Sequence, residues 1–326
     1  MRRHIQGSGI GFPKLIPAII ALAAAGIAGC ASASTSTSAH SSTGTATLPG
    51  TGKPAIVMGA KNFTEELILG QLYDQALVAK GYKVTLNDSF PGVALINAAL
   101  TSGKIEWYPE YTWEVITAVS DQQGRNIKTA QQAYNVANQI EKKQGFEELN
   151  MTPFTDANAL AVRPSYAKQY HLTTIGQLKN IGTDASKVVY CDSPENRTLW
   201  TGLVGLQQAY GLTNIQFKGV GFGLLPEALL KGQCDVADIF QTDPSYVIDH
   251  WVQLKDTKDI FGFQNVAPIV SAKLLKEEGP AFAQTLNSVS ALLTQTAMIK
   301  MNQAVVVDKI SPAVVAQDFL KANGMA

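Results

Sequence analysis

The feature that most restricts what this chain can fold into is a rhythm: short apolar runs alternate with stretches of helical period, and the pattern is read through twice. Residues 55–60 (AIVMGA) form a continuous apolar run of the kind buried on both faces of a parallel sheet. Thr64 then caps a helix whose first turn carries Glu65 and Glu66, where negative charge complements the helix dipole. Ile68, Leu72 and Ala76 share one face, and Gly81 stands where the helix should stop. Residues 83–86 read as the next strand, 92–102 as a helix closed by Gly103, 105–107 as a strand, and 127–144 as an amphipathic helix ended by Gly145.

The alternation then restarts. Strands are expected at 159–162, 188–190, 215–217 and 235–240, with helices at 174–179, 198–210 and 224–231. From Ala272 the chain reads as helical, ending in 313–322. No internal sequence repeat is evident. Two sets of alternating strands and helices predict two α/β domains, each with a mostly parallel sheet. Ligands in such sheets collect beyond the C-terminal ends of the strands, and two domains leave a cleft between them.

The first thirty residues are an address rather than part of this fold. Arg2, Arg3 and Lys14 precede a nearly pure apolar run over 15–27. Thirteen residues at ~1.5 Å each span ~20 Å, short of a ~30 Å hydrocarbon core, so the segment reads as a secretory signal over 1–29. It ends Ile27-Ala28-Gly29-Cys30, which resembles the bacterial lipobox, in which the cysteine is diacylated and becomes the new N-terminus. The alternative is a plain signal peptide that happens to contain a cysteine. Two or three acyl chains anchor stably, since each buried CH₂ contributes ~0.8 kcal/mol. Residues 31–53, rich in Ser, Thr, Ala and Gly, read as a flexible tether running from Cys30 to a folded body beginning near Pro54.

Charge excludes one broad class of partner. The chain has 26 Lys+Arg and 26 Asp+Glu; removal of the leader takes three basic residues and no acidic one, leaving a slight acidic excess. Nothing in that balance would displace counterions from nucleic-acid phosphates. Three cysteines cannot make a disulfide framework, and four histidines without HExxH or CxxC motifs leave metal chemistry unsupported; no cofactor is expected. Cys191 ends one expected strand and Cys234 begins another. If those strands are parallel neighbours, the cysteines fall at opposite ends of the sheet, so two free thiols are expected.

Several stretches, in order from about residue 55 to the end, resemble the substrate-binding proteins of ABC transporters for glycine betaine, choline and related osmoprotectants. They are Gly-Ala-Lys-Asn-Phe-Thr-Glu at 59–65, Ala-Leu-Thr-Ser-Gly-Lys-Ile at 99–105, Tyr-Pro-Glu-Tyr-Thr at 108–112, Ala-Leu-Ala-Val at 159–162, Asp-Val-Ala-Asp at 235–238 with Thr242-Asp243, and Ala-Pro-Ile-Val at 267–270. The resemblance implies a two-lobed periplasmic-binding-protein-like α/β fold of type II, with the ligand cleft between lobes joined by two crossover strands near 155–161 and 262–270. Lobe I would comprise 54–157 and 266–326, and lobe II 158–265. It also implies an extracytoplasmic, lipid-anchored monomer that hands a small ligand to a permease and its ATPase.

That family holds a trimethylammonium group in a box of aromatic rings. A quaternary ammonium has no N–H to donate, so ring faces and fit must recognise it, at about 0.5–2 kcal/mol per ring. By the resemblance, Tyr111 matches a box tyrosine and Phe240 stands in place of another. Asn158 and Gln264 stand where further tyrosines are expected. Lys61 and Glu114 fall at polar ligand contacts, and Trp200 lies near a family tyrosine, with Arg197 matching a family arginine. Structural alternatives stand beside these: Glu114 as a first-turn acid, Phe240 as core, Lys61 on a surface loop, Asn158 and Gln264 satisfying backbone groups at the hinge. The altered lining suits a ligand with more hydrogen-bonding groups than betaine, such as an amino-acid-like zwitterion, unless Trp107, Trp113 and Trp200 rebuild the box. A sensory solute receptor would share these features. An enzyme on the same scaffold is disfavoured, since no GxSxG, P-loop or Rossmann glycine pattern is present.

Overall fold

Buried apolar runs become strands wherever both of their faces can be covered, and the covering helices are supplied by the segments between them. A computed structural model describes residues 47–119 and 126–326; the leader and Cys30 lie outside the described residues. The strands are β1 Ala55–Lys61, β2 Lys83–Phe90, β3 Trp107–Tyr111, β4 Phe146–Glu148, β5 Leu160–Val162, β6 Val189–Asp192, β7 Gln216–Gly219, β8 Val236–Asp238, β9 Val252–Leu254 and β10 Val266–Ser271. They form two sheets, ordered β2-β1-β3-β10-β4 and β7-β6-β8-β5-β9. The protein is thus a two-lobed α/β molecule.

Both sheets are mixed rather than mostly parallel. β1 runs parallel to β2 and β3, while β10 is antiparallel to β3 and β4. In the second sheet β6 runs parallel to β7 and β8, while β5 is antiparallel to β8 and β9. The reason is topological. β5 carries the chain into the second lobe and β10 carries it back, so each enters its sheet against the direction of the βαβ strands. Two of the four edge strands, β4 and β9, are three residues each and too short to announce themselves in sequence. The strand expected at 105–107 instead occupies Trp107–Tyr111, so the Tyr-Pro-Glu-Tyr motif is itself a fully buried strand. Pro109 is tolerated there because it faces Pro268 across the ladder, and both missing N–H donors fall on one rung.

In the first lobe, the helices Thr64–Ala79, Pro280–Leu292, Gln295–Val306 and Pro312–Ala322 pack on one sheet face around Trp107, Tyr73 and Phe282. The helices Val93–Thr101 and Ala130–Gln144 cover the other face around Tyr108 and Ile269. The chain from β10 to its C-terminal end therefore returns to the first lobe. The two chain crossings lie side by side: Thr155 bridges Asn265, and the Asp156 N–H donates to the Gln264 carbonyl at 3.0 Å. Gly262, in the returning crossing, has φ +72°, and any Cβ there would overlap the Trp113 indole.

Two expectations are corrected. Cys191 and Cys234 form a disulfide, with Cα atoms 5.8 Å apart. β6 and β8 are indeed parallel neighbours, but they are only four and three residues long. The "opposite ends" are therefore close, and both cysteines join one apolar cluster with Leu225 and Leu229. The tether also ends earlier than Lys53. The Gly50 N–H donates to the Lys80 carbonyl at 2.9 Å, and a Cβ on Gly50 would strike the backbone of Gly81 and Tyr82. Residues 48–53 are thus docked on the first lobe, with Lys53 Nζ donating to the Glu277 carbonyl at 2.6 Å.

Candidate functional site

A cavity of about 500 Å³ lies where the C-terminal ends of β1, β2, β3 and β8 meet the crossings. Lys61, Phe63, Thr64 and Glu65 reach it from the turn between β1 and its helix, and Pro91, Gly92 and Val93 from the turn after β2. Tyr111 ends β3, and Glu114 closes the single helical turn Thr112–Glu114 that follows. The crossings contribute Asp156, Asn158 and Gln264; the segment after β8 contributes Phe240, Thr242, Asp243 and Pro244. Asn302 and Val306 come from the helix Gln295–Val306.

Of the residues expected from sequence, Lys61, Tyr111, Glu114, Asn158, Phe240 and Gln264 all line this cavity. Trp200 does not: it packs against the second lobe's core just before the helix Leu203–Tyr210. Arg197 lies over the Phe217 ring at 5.6 Å, also away from the cavity. Trp107 is fully buried in the first-lobe core, and Trp113 lies against Phe263, so neither rebuilds an aromatic box. The added ring is Phe63, stacked on Tyr111 with centroids 6.2 Å apart.

Lys61 is not a surface lysine. Its ammonium is bonded to Glu110 and lies 3.7 Å from Glu66, all three residues being buried. Burial alone would pull its pKa down, but the charges of Glu110 and Glu66 outweigh it and hold Lys61 above its usual value. Burial pushes Glu66 up to about 8 against the pull of Lys61, and raises Glu110 likewise. The Lys61 ammonium also sits 4.7 Å from the Tyr111 ring centroid, a cation–π contact that steadies the ring.

A second network holds the cavity floor and was not legible beforehand. The Tyr111 hydroxyl donates to Glu65 Oε1 at 2.8 Å. Asn302 Nδ2 donates to Glu65 Oε2 at 2.9 Å and to the Thr242 carbonyl at 3.3 Å. The Thr242 N–H and hydroxyl donate to Asp156 Oδ1 at 3.0 and 2.6 Å. Burial raises Glu65 above the usual carboxylate range despite donors from Thr242, Asn302 and Tyr111. Burial, then the charge of Glu65, raises Asp156 well above it. Glu65 looked like an ordinary first-turn acid, and a helix dipole explains such a residue without any burial. Asp156, Thr242 and Asn302 are distant in sequence, and only the return of the C-terminal helices brings them together.

The chemistry available follows from this inventory. Three rings, Tyr111, Phe63 and Phe240, and the carboxylates of Glu65, Glu114, Asp156 and Asp243 favour positive charge. The helices Thr64–Ala79 and Val93–Thr101 begin at Phe63 and Gly92 beside the same cavity, and no side chain caps either start. Their backbone N–H groups are donors for an anionic or hydroxyl end.

Comparison with known proteins gives the same direction. Residues 54–322 match the family described as the substrate-binding domain of the ABC-type glycine betaine transport system. The chain belongs to this family. It is the substrate-binding component of an ABC importer. A glycine-betaine-binding protein of Pseudomonas aeruginosa PAO1 is 27% identical over 274 residues, covering 82% of this chain and 87% of that protein. The carnitine transport binding protein OpuCC of Listeria monocytogenes is 25% identical over 291 residues, covering 85% and 90%. A crystal structure titled as a glycine betaine/carnitine/choline ABC transporter superposes with a TM-score of 0.76 at 22% identity, covering 83% of this chain and 99% of that one. Members of this family are extracytoplasmic, and no helix among the described residues is long and apolar enough to cross a membrane.

Proposed function

We propose that this protein binds a small organic ammonium of the betaine–choline–carnitine kind between its lobes and delivers it unaltered to the permease and ATPase of an importer. The observation that carries the reading is the interlobe cavity itself, with Tyr111, Phe63 and Phe240 beside four carboxylates. Rings attract a cation through their faces, and buried carboxylates add charge attraction without demanding a particular shape. The other end of the guest lies against the uncapped helix starts at Phe63 and Gly92. Tyr111, Phe240, Lys61, Glu114, Asn158 and Gln264 serve as ligand-site residues, joined by Phe63, Glu65, Asp156 and Asn302.

Lobe I comprises 54–157 and 266–326 and lobe II 158–265, closing on the guest about the paired crossings at Thr155 and Asn265. The protein works as a monomer, exported by the leader and held to the outer face of the cytoplasmic membrane by lipid on Cys30. It is a carrier rather than an enzyme, a reading supported by the match of residues 54–322 to a transport substrate-binding family. The test is a thermal-shift screen of the purified protein with choline, glycine betaine, carnitine, ectoine and basic amino acids. A guest at 100 times its Kd should add ~2.7 kcal/mol of stability. Stabilisation by none of the ammonium compounds, or recovery of a chemically altered guest, would refute the proposal.

A further inference from the structure

The helix Gln295–Val306 packs into the core of the first lobe, yet it is hydrogen-bonded to the second. Gln295, its first residue, stands where the outgoing crossing leaves the first lobe. The Phe154 N–H donates to the Leu293 carbonyl at 3.1 Å, and the Thr155 N–H donates to Gln295 Oε1 at 3.0 Å. The other end of the same amide reaches past the crossing: Gln295 Nε2 donates to the carbonyl of Gln241, in the second lobe, at 3.0 Å. The partners fix its orientation, since only the oxygen can accept from an N–H and only the nitrogen can donate to a carbonyl. Two turns further along the helix, Asn302 donates to the next carbonyl, that of Thr242. The segment that receives these bonds is tied to the crossing as well. The Ile239 N–H donates to the Ala159 carbonyl at 2.8 Å and the Gln241 N–H to the Ala157 carbonyl at 3.1 Å. Fastening Gln241 therefore fastens the second-lobe wall of Phe240, Thr242 and Asp243. Gln295 itself does not line the cavity.

We infer that Gln295 is a positioning residue for guest capture: its amide is a third fastening between the lobes, which confines their relative motion to opening and closing and keeps Phe240, Thr242 and Asp243 in register with the first-lobe half of the cavity. The inference rests on the lobe closure proposed above and deepens it. The two crossings lie side by side, bridged at Thr155 and Asn265, and make a narrow ribbon. A two-stranded ribbon twists readily as well as bending. A bond from a helix beside the ribbon resists the twist and leaves the bend available. Because the same amide also holds Thr155, the fastening lies next to the hinge, where opening displaces atoms least. Closure then brings the rings and carboxylates of the two lobes together in one arrangement instead of several. Binding costs less when that arrangement is set beforehand.

The test measures interlobe distances in the purified full-length protein by pulsed electron paramagnetic resonance. Spin labels are attached through ketone-bearing unnatural residues at the exposed positions Lys104 and Lys321 of the first lobe, each paired with the exposed Lys187 of the second, so that the native cysteines are untouched. Gln295→Glu keeps an oxygen for the Thr155 N–H and sets a second acceptor against the Gln241 carbonyl, which removes the interlobe bond alone. Gln295→Met keeps the length of the side chain and removes both bonds. Both variants are expected to broaden both distance distributions in the absence of guest. They are also expected to weaken whichever of choline, glycine betaine and carnitine binds the unmodified protein best, about fivefold, as for the loss of one neutral hydrogen bond. Native widths in either variant overturn the inference, whatever happens to the melting temperature, because a merely structural side chain would change stability alone. Broadened widths with native affinity in calorimetry overturn the role in guest capture. If the unmodified protein binds none of the three compounds, the ammonium reading fails, and the distance widths still decide whether the fastening exists.

Discussion

Glu141 offers a quantitative check on the interior of the first lobe. It lies on the helix Ala130–Gln144 facing the short strand β4, where Glu148 sits; both are buried, and none of their four carboxylate oxygens has a partner. Burial, and then the charge of Glu110, pushes Glu141 from an ordinary 4.5 up to about 7. A carboxyl raised in the folded state binds a proton there more tightly than in the unfolded chain. Its contribution to stability is therefore complete below about pH 4.5 and is lost as pH rises through about 7. The shift corresponds to about 3 kcal/mol, of which about 2.5 kcal/mol is lost between pH 5 and pH 8. Glu141→Gln is neutral at every pH and removes this loss. Urea unfolding of both proteins should show a stability difference that grows toward pH 8 by about 2 kcal/mol in favour of the variant. A difference that stays constant with pH would refute the assignment of Glu141 as a buried, proton-holding carboxyl.

Four further outcomes are expected. Tyr111→Ala should weaken ammonium binding at least tenfold, about 1.4 kcal/mol, whereas Tyr111→Phe, which keeps the ring, should change it by much less; equal losses in calorimetry would mean that the hydroxyl, not the ring, matters. Cation affinity should rise with pH, because a bound cation favours the charged forms of Asp156 and Glu65, both raised by burial; titrations at several pH values that give a flat or falling profile would contradict this. Reducing the Cys191–Cys234 bond closes no new contact but frees a 43-residue loop in the unfolded chain, worth about 4 kcal/mol in the chain-entropy model; Cys191→Ala should lower the urea midpoint, and an unchanged midpoint together with two titratable thiols in the native protein would show that the bond is not formed. Gly262→Ala should cost at least about 2 kcal/mol, since the residue needs φ +72° and its Cβ would overlap the Trp113 indole; near-native stability in thermal melts would mean that this crossing is far more yielding than its packing implies.

Much of the molecule was legible from local pattern. The apolar run at 55–60, the 3.6-residue period after Thr64 and the stop at Gly81 reappear as β1 and the helix Thr64–Ala79, because each depends on neighbouring residues only. The second set of strands and helices is also where the alternation placed it, with boundaries shifted by a few residues. Tyr111, Phe240, Asn158 and Gln264 could be brought to one place through their motifs and are found at one cavity. Trp200 could not be placed by proximity to a motif, since its position depends on how the second lobe's core packs.

What the sequence by itself determined is therefore the αβ alternation, the existence of two sheets and most of the side chains that meet between them, all carried by periodicity or by contiguous motifs. What only the tertiary structure decided is partnership across long separations. Glu65 and Asn302 are 237 residues apart, Asp156 and Thr242 86 residues apart, and the two cysteines 43. Whether a carboxylate at a helix start is solvated or buried beneath a tyrosine, and which way an amide turns, follows from the groups that packing brings against it. Desolvation and hydrogen bonding act over a few ångströms in space and have no signature in the order of residues along the chain.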